Sequence, residues 1–302
     1  MKEKILNFTF CLFCFMSIIL IFKHNKEVAN VIINATNLFL KKVLVSLFPM
    51  FIINDILIHL DIPYYFYKIF NQLFIKLFHI NGLGAYVFIM SLISGTPSNA
   101  YILKELVLNN KLSKEEASHF LMFTYFSNPL FLTVMLSTIF SLKTTLKIII
   151  IHYISNLIIA FLTRKKAPTI TNTSFQKEKK QSKGILIKSI NKSMNTLLMI
   201  LGSIIFYMLL TYIITIPLQD NLLFKTIISG FLEITNGLNN LINLEIYSKI
   251  KEIIAISIIS FGGLSIHTQI KSILENTKIN YQPFLKGRIL HVIISISLII
   301  FI

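Results

Sequence analysis

Ser94-Gly95-Thr96-Pro97-Ser98-Asn99-Ala100-Tyr101-Ile102-Leu103-Lys104-Glu105-Leu106 interrupts an apolar run, Tyr86 to Ile93, that a bilayer would accept. A small residue, a glycine, a proline and two short polar residues come first, and a helical pattern with ionisable groups follows. Gly95 permits a turn that bulkier residues resist. Pro97 suits the first position of a helix, with Thr96 as its cap. Lipid cannot satisfy the backbone groups that such a break frees, so breaks sit in protein or line a wet cavity. In transporters they often hold the solute, because half-helix ends present free N–H groups. A plain loop between two spans would use the same residues, so this stretch does not decide alone.

A second stretch sharpens the reading. Phe261-Gly262-Gly263-Leu264-Ser265-Ile266-His267-Thr268-Gln269-Ile270-Lys271 also follows an apolar run, Ile253 to Ile259. Laid on the first without gaps, it matches Gly95 to Gly262, Ser98 to Ser265, Lys104 to Lys271, Asn109 to Asn276 and Lys111 to Lys278. Asn81-Gly82-Leu83 has a counterpart in Asn236-Gly237-Leu238 at a slightly different offset. Two glycine-interrupted segments in corresponding halves are the best sequence pointer to a transporter site.

Composition agrees. Of 302 residues, 54% are hydrophobic and only 14% charged, with a mean hydropathy of +0.72. A soluble domain of this size needs more polar surface, so the chain reads as a polytopic helical membrane protein. Its net charge of +16 would suggest nucleic acid in a soluble protein. Here the lysines cluster in loops, which implies positive-inside topology and anionic lipid headgroups, with no nucleic acid as partner. Cys11 and Cys14 form a C-x-x-C inside the apolar stretch Ile5 to Phe22, where a redox or zinc site would lack polar access and further ligands. That stretch resembles a signal peptide without a small-x-small cleavage site, so it reads as an uncleaved first span.

Along the chain, Val28 to Leu40 suits an interfacial helix and Val43 to Leu60 a span carrying Pro49 and Asp55. Tyr64 to Phe78 is aromatic-rich, as interfacial or re-entrant helices are. Leu83 to Ile93 is too short to cross alone and pairs with the segment after Pro97 as a re-entrant hairpin. Ser113-Lys114-Glu115-Glu116 is a helix-start signature, and that helix is expected to run to Phe126 and break at Ser127-Asn128-Pro129. Thr145 to Thr163 is a clean span. Arg164 to Lys192 carries nine basic residues against one acid, Glu178, and is expected to be a cytoplasmic linker. Asn195 to Ile216 and Ile289 to Ile302 are further spans, the last preceded by Lys286-Gly287-Arg288. The expected organisation is an anchor span over 1–26, a first repeat over 27–163, the linker over 164–192 and a second repeat over 193–302.

Ser98, Glu105 and Asn109 share one face of the helix after the first break. Ser265, Ser272 and Asn276 take the same places after the second, joined by Gln269. Asp55 and Glu233 are carboxylates within apolar runs, where such residues face a cavity, pair, or move ions. Candidate partners for these two carboxylates are His59, one turn from Asp55, and Lys104 or Lys271. His267 lies inside the second break and can serve a solute or the structure equally well. Glu115 and His119 lack a third metal ligand, and no metal site, cofactor site, P-loop or nucleophile elbow is found, so no enzyme is expected.

At these residues the chain resembles the YlbJ-type sporulation integral membrane proteins, which carry nucleoside-recognition (Gate) domains. The resemblance runs from about Leu44 to the C-terminus. It is carried by Phe48-Pro49-Met50-Phe51-Ile52-Ile53-Asn54-Asp55, Ser94-Gly95-Thr96-Pro97, Ser127-Asn128-Pro129-Leu130-Phe131, Glu233-Ile234-Thr235-Asn236-Gly237 and Phe261-Gly262-Gly263-Leu264-Ser265-Ile266-His267 with Gln269. The family pattern has an aromatic where Thr96 stands, a glycine at Asn99, a lysine at Tyr101 and a glycine at Asn128. The resemblance implies a mother-cell membrane protein of a spore former, associated with moving dipicolinic acid, a planar dianion, toward the developing spore.

The combined expectation is an all-α polytopic membrane protein with two Gate-like repeats, related by inversion, whose broken helices meet. It would be a transporter or channel for a small organic anion, with homo-oligomerisation left open. A nucleoside-type permease and a non-transporting scaffold of sporulation are the alternatives. The expected solute residues are Gly95, Pro97, Ser98, Asn99, Lys104, Glu105, Asn128, Gly262, Gly263, Ser265, His267, Gln269 and Lys271, with Asp55 and Glu233 for ion coupling.

Overall fold

The computed structural model describes residues 2–164, 184–218 and 221–302, with side chains at Cys11 and from Cys14 onward. Every regular element among them is helical. In chain order these are α1 (Lys2–Lys23), α2 (Asn25–Leu38), a π-helical turn (Phe39–Leu44), α3 (Val45–His59), α4 (Ile62–Phe78) and α5 (Gly82–Ser94). There follow α6 (Ser98–Leu108), α7 (Lys114–Phe120), α8 (Pro129–Leu136), α9 (Leu142–Thr163) and α10 (Ile185–Thr215). The chain ends with α11 (Leu222–Leu232), α12 (Ile234–Ile242), α13 (Ser248–Phe261), α14 (Gly263–Leu274) and α15 (Gln282–Phe301).

Five stretches among the described residues are long and apolar enough to cross a membrane: Asn25–His59, Leu142–Thr163, Ile185–Leu218, Ser248–Leu274 and Gln282–Phe301. Helices α4 and α5, which meet at 91°, make a sixth if counted as one broken span. The helices are inside-out relative to a soluble protein. On α9, Leu142, Leu146, Ile150, Ile154 and Phe161 are exposed, whereas Thr145, His152, Ser155 and Asn156 are buried. Such a stripe suits lipid outside and polar partners inside. The chain is an all-helical integral membrane protein.

The structure redraws several expected boundaries. Val28 to Leu40 is not a separate interfacial helix. Helix α2 runs through the π-turn into α3 as one 35-residue span, because nothing breaks the backbone pattern between them. A further sharp bend, of 91°, falls between α4 and α5, ahead of the break at Gly95 to Pro97 that separates α5 from α6. Pro97 takes the cap position of α6 rather than its first turn, and the Thr96 hydroxyl makes no capping bond. Helix α7 begins at the expected capping box of Ser113 and Glu116 but stops at Phe120, short of Phe126.

The extended segment 124–128 that follows α7 is held by other elements. Asn156 donates to the Tyr125 carbonyl, the Thr96 N–H donates to Phe126 O at 2.7 Å, and the Ser127 N–H donates to His152 Nε2 at 3.0 Å. These bonds satisfy buried backbone groups that a helix would otherwise pair internally. The basic linker is shorter than expected, because α10 starts at Ile185 and takes Lys188 and Lys192 into a helix. The expectation of a cytoplasmic, solvated segment concerns mainly 165–183, which lies outside the described residues.

Candidate solute cavity

Each glycine break lies on another interruption of the helical backbone. Gly95 has φ +77, and a Cβ there would come within 2.5 Å of Asn128 N. Gly263 has φ +69, and its Cβ would come within 3.2 Å of Glu233 Cα. Glycine meets both demands, positive φ and close backbone approach. Asn128 and Glu233 are themselves helix caps. The Asn128 side chain accepts from the N–H groups of Leu130 and Phe131 at the start of α8. Glu233 Oε2 accepts from Asn236 N at 2.7 Å at the start of α12, and its Oε1 accepts from the Thr235 hydroxyl at 3.0 Å.

A partly open cavity of about 60 Å³ lies beside the two crossings. Its polar lining is Thr96, Tyr125, Ser127, Asn128, Glu233, Thr235, Gln269 and Ser46, with Pro97 between. Ile200 and Ile204 of α10 and Val43 and Leu47 supply an apolar wall. Three short helices, α6, α8 and α12, begin at this cavity, and α14 lines it with Ile266 and Gln269. Their N-terminal ends carry partial positive charge. Helices α8 and α12 are capped by their own side chains, whereas α6 and α14, which follow the glycine breaks, have no side-chain cap. At α6 the N–H groups of Ser98, Ala100 and Tyr101 donate to the carbonyls of Gly95 and Pro97, so the helix start acts on the cavity mainly through its dipole.

Of the residues expected at the site, Pro97, Asn128, Glu233 and Gln269 line the cavity, and Gly95, Gly262 and Gly263 shape the adjoining backbone. Ser265 stands behind Gln269, whose amide nitrogen donates to its hydroxyl at 3.1 Å. Ser98 accepts from Asn54 at 2.8 Å, and Asn99 is fully buried against Thr124. The remaining residues do not line the cavity. Lys104 is half-buried on α6. Lys271 is exposed, with its ammonium 4.7 Å from the Tyr281 ring centroid. Both ring nitrogens of His267 are taken, by the Tyr281 hydroxyl and by the Phe261 carbonyl, and the ring stacks on Phe261. Thr96, Tyr125 and Thr235 line the cavity without having been singled out as site residues.

No family model and no solved structure matches the chain. One curated relative does. The chain is 28% identical over 285 residues to the sporulation integral membrane protein YlbJ of Bacillus subtilis, covering 81% of this chain and 70% of the relative. The chain is thus similar to the YlbJ-type proteins over most of its length.

Two charged centres of this chain were not legible as such. The first joins α3, α6 and α10. Lys192 Nζ lies 3.1 Å from Asp55 Oδ1 and 2.6 Å from Glu105 Oε2. Asp55 also accepts from the Tyr101 and Ser189 hydroxyls, each at 2.6 Å, and His59 Nδ1 lies 3.5 Å from Oδ2. Of the partners expected for Asp55 and Glu233, His59 is present, at Asp55, while Lys104 and Lys271 are not. Lys192, placed in the linker by its charge, is the ion partner because α10 starts early enough to carry it inward. The second centre is Arg288, fully buried on α15. It donates to Ser260 O, Met122 O and Asn156 Oδ1, and its guanidinium lies 4.0 Å from the centroid of the Tyr125 ring that faces the cavity. Being one of only two arginines in a lysine-rich chain was its one signal.

Proposed function

We propose that this protein is a transporter for a small organic anion, with dipicolinate as its solute, acting in the mother-cell membrane during spore formation. The observation that carries the reading is the meeting of three helix N-termini, those of α6, α8 and α12, at one cavity that Gln269 of the second break also lines. A planar dicarboxylate needs positive potential at two ends, and helix starts on both sides of the cavity supply it without a mobile side chain. The guanidinium of Arg288 adds positive charge behind Tyr125. The relative's name supports the sporulation context.

The cavity of about 60 Å³ holds only a few water-sized volumes. A pyridine dicarboxylate therefore enters only when the breaks part. In this reading the halves are inverted repeats that rock about the crossings of Gly95 with Asn128 and Gly263 with Glu233. A second reading, a nucleoside-type permease of the same architecture, is favoured by one observation. The cavity lining contains Gln269, Asn128 and Thr235 with one carboxylate and no lysine.

The test is the dipicolinate content of spores formed with the gene, without it, and with Gln269→Leu in its place. The proposal expects a severe deficit without the gene and a marked one for the variant at equal protein level. Normal content without the gene contradicts it. A deficit that added nucleoside relieves favours the second reading.

A further inference from the structure

Glu233 stands apart from the buried carboxylates that are paired with a lysine. Asp55 and Glu105 share Lys192, Asp61 is paired with Lys111, and Glu252 lies 2.5 Å from Lys147. Glu233 is 2% exposed and takes hydrogen bonds from Asn236 N and the Thr235 hydroxyl. Among the described residues it has no lysine, arginine or histidine partner. The start of α12 offsets part of its charge. It does not supply a counter-ion, and a bare carboxylate beside an anionic solute would repel it.

The same cavity offers oxygen atoms with nothing bound to them. Gln269 is 1% exposed, and its Oε1 has no hydrogen-bond partner. As placed, Gln269 Nε2 donates to the Ser203 hydroxyl at 2.8 Å, whose own proton goes to Ile200 O at 2.8 Å, and to the Ser265 hydroxyl at 3.1 Å. The carbonyl oxygen is thereby left facing elsewhere. Thr96 Oγ1, from the other break, is likewise buried without a partner. Both residues line the cavity with Glu233. One carboxylate and two neutral oxygens, drawn from both breaks, form a donor set for a hard cation and a poor one for an anion.

We propose that the cavity binds a sodium ion between the Glu233 carboxylate and the side-chain oxygens of Thr96 and Gln269, as the co-substrate that accompanies the anion. The space suits a small ion with a little water. The ion neutralises Glu233 and ties the first break to the second. The coupling role rests on the anion-transport reading. The binding itself does not, because it is measured with no organic solute present.

The experiment uses purified full-length protein in detergent. Its melting temperature is compared in sodium chloride, potassium chloride and choline chloride at one ionic strength, and equilibrium binding of radioactive sodium is measured on monodisperse material. A ligand that binds the folded state raises the melting temperature by mass action. The proposal expects a rise of several degrees in sodium over choline, abolished in Glu233→Gln and requiring at least tenfold more sodium in Gln269→Leu and Thr96→Val. Equal melting temperatures in sodium and choline overturn it. So does stabilisation that follows pH and ignores sodium, which would mean that Glu233 takes a proton instead. If Glu233→Gln fails to fold because the α12 cap is weakened, the other two variants decide, since neither is part of that cap. Unchanged sodium affinity in both overturns the proposal, as does wild-type response in a folded Glu233→Gln. Failure of dipicolinate transport with sodium binding intact would leave this site standing and remove only its coupled solute.

Discussion

At the scale of single residues, Lys192 matters most because three elements depend on its charge. It is 38% exposed while Asp55 and Glu105 are buried, so water screens part of its interaction but little of theirs. Lys192→Met should destabilise the protein by about 1.5–3 kcal/mol for each charged hydrogen bond lost. Adding Asp55→Asn and Glu105→Gln should then cost less than the sum of the separate changes, because the uncompensated charges go too. Thermal unfolding of the single and combined variants in detergent checks this, and strict additivity would contradict the cluster. Gly95→Ala is the second case. The positive φ alone costs about 1–3 kcal/mol, and the new Cβ would overlap Asn128 N. Gly202→Ala, in open space on α10, should instead stabilise by about 0.5–1 kcal/mol. Recovery of monodisperse protein after heating separates the two. Gly95 was legible in the sequence because a glycine inside an apolar run is a local signal. Lys192 was not, because a lysine eight residues into a helix and a lysine in a loop look alike when the helix start is hidden in a run of charge.

At the scale of elements, the helices that the sequence marks clearly are those with a single job. Helix α9 was readable as a span from its length and apolarity, and α7 from its capping box. The continuous helix from Asn25 to His59 was not, since a π-helical turn leaves no compositional trace. Nor was the early stop of α7, which is decided by Asn156, Thr96 and His152, partners remote in sequence. Helix α14 shows how the site residues divide. Its inner face carries Gln269 into the cavity, while Lys271 lies exposed beside Tyr281. Gln269→Leu should therefore weaken solute binding by about 1–2 kcal/mol, roughly five- to thirtyfold. Lys271→Ala should leave binding within about twofold, as a screened surface charge would. Solute binding to the purified variants measures both, and equal losses would place the solute elsewhere on α14.

At the scale of the molecule, two stretches far apart in sequence flank one cavity, each glycine laid against a capping residue of another break. Both breaks were visible from their apolar lead-ins, but the sequence matched Gly95 to Gly262, whereas the glycine that meets a capping residue in the second break is Gly263. The companions Asn128 and Glu233 were visible as motifs, but nothing in the sequence said which break each would meet. The central claim is that this convergence moves a small organic anion. The most direct measurement is uptake of labelled dipicolinate by liposomes containing the purified protein in sodium buffer, with empty liposomes and Gln269→Leu liposomes alongside. The account predicts saturable uptake by the wild type and at least a fivefold loss for the variant at low solute concentration. Uptake by correctly folded wild-type protein no greater than in empty liposomes would contradict it.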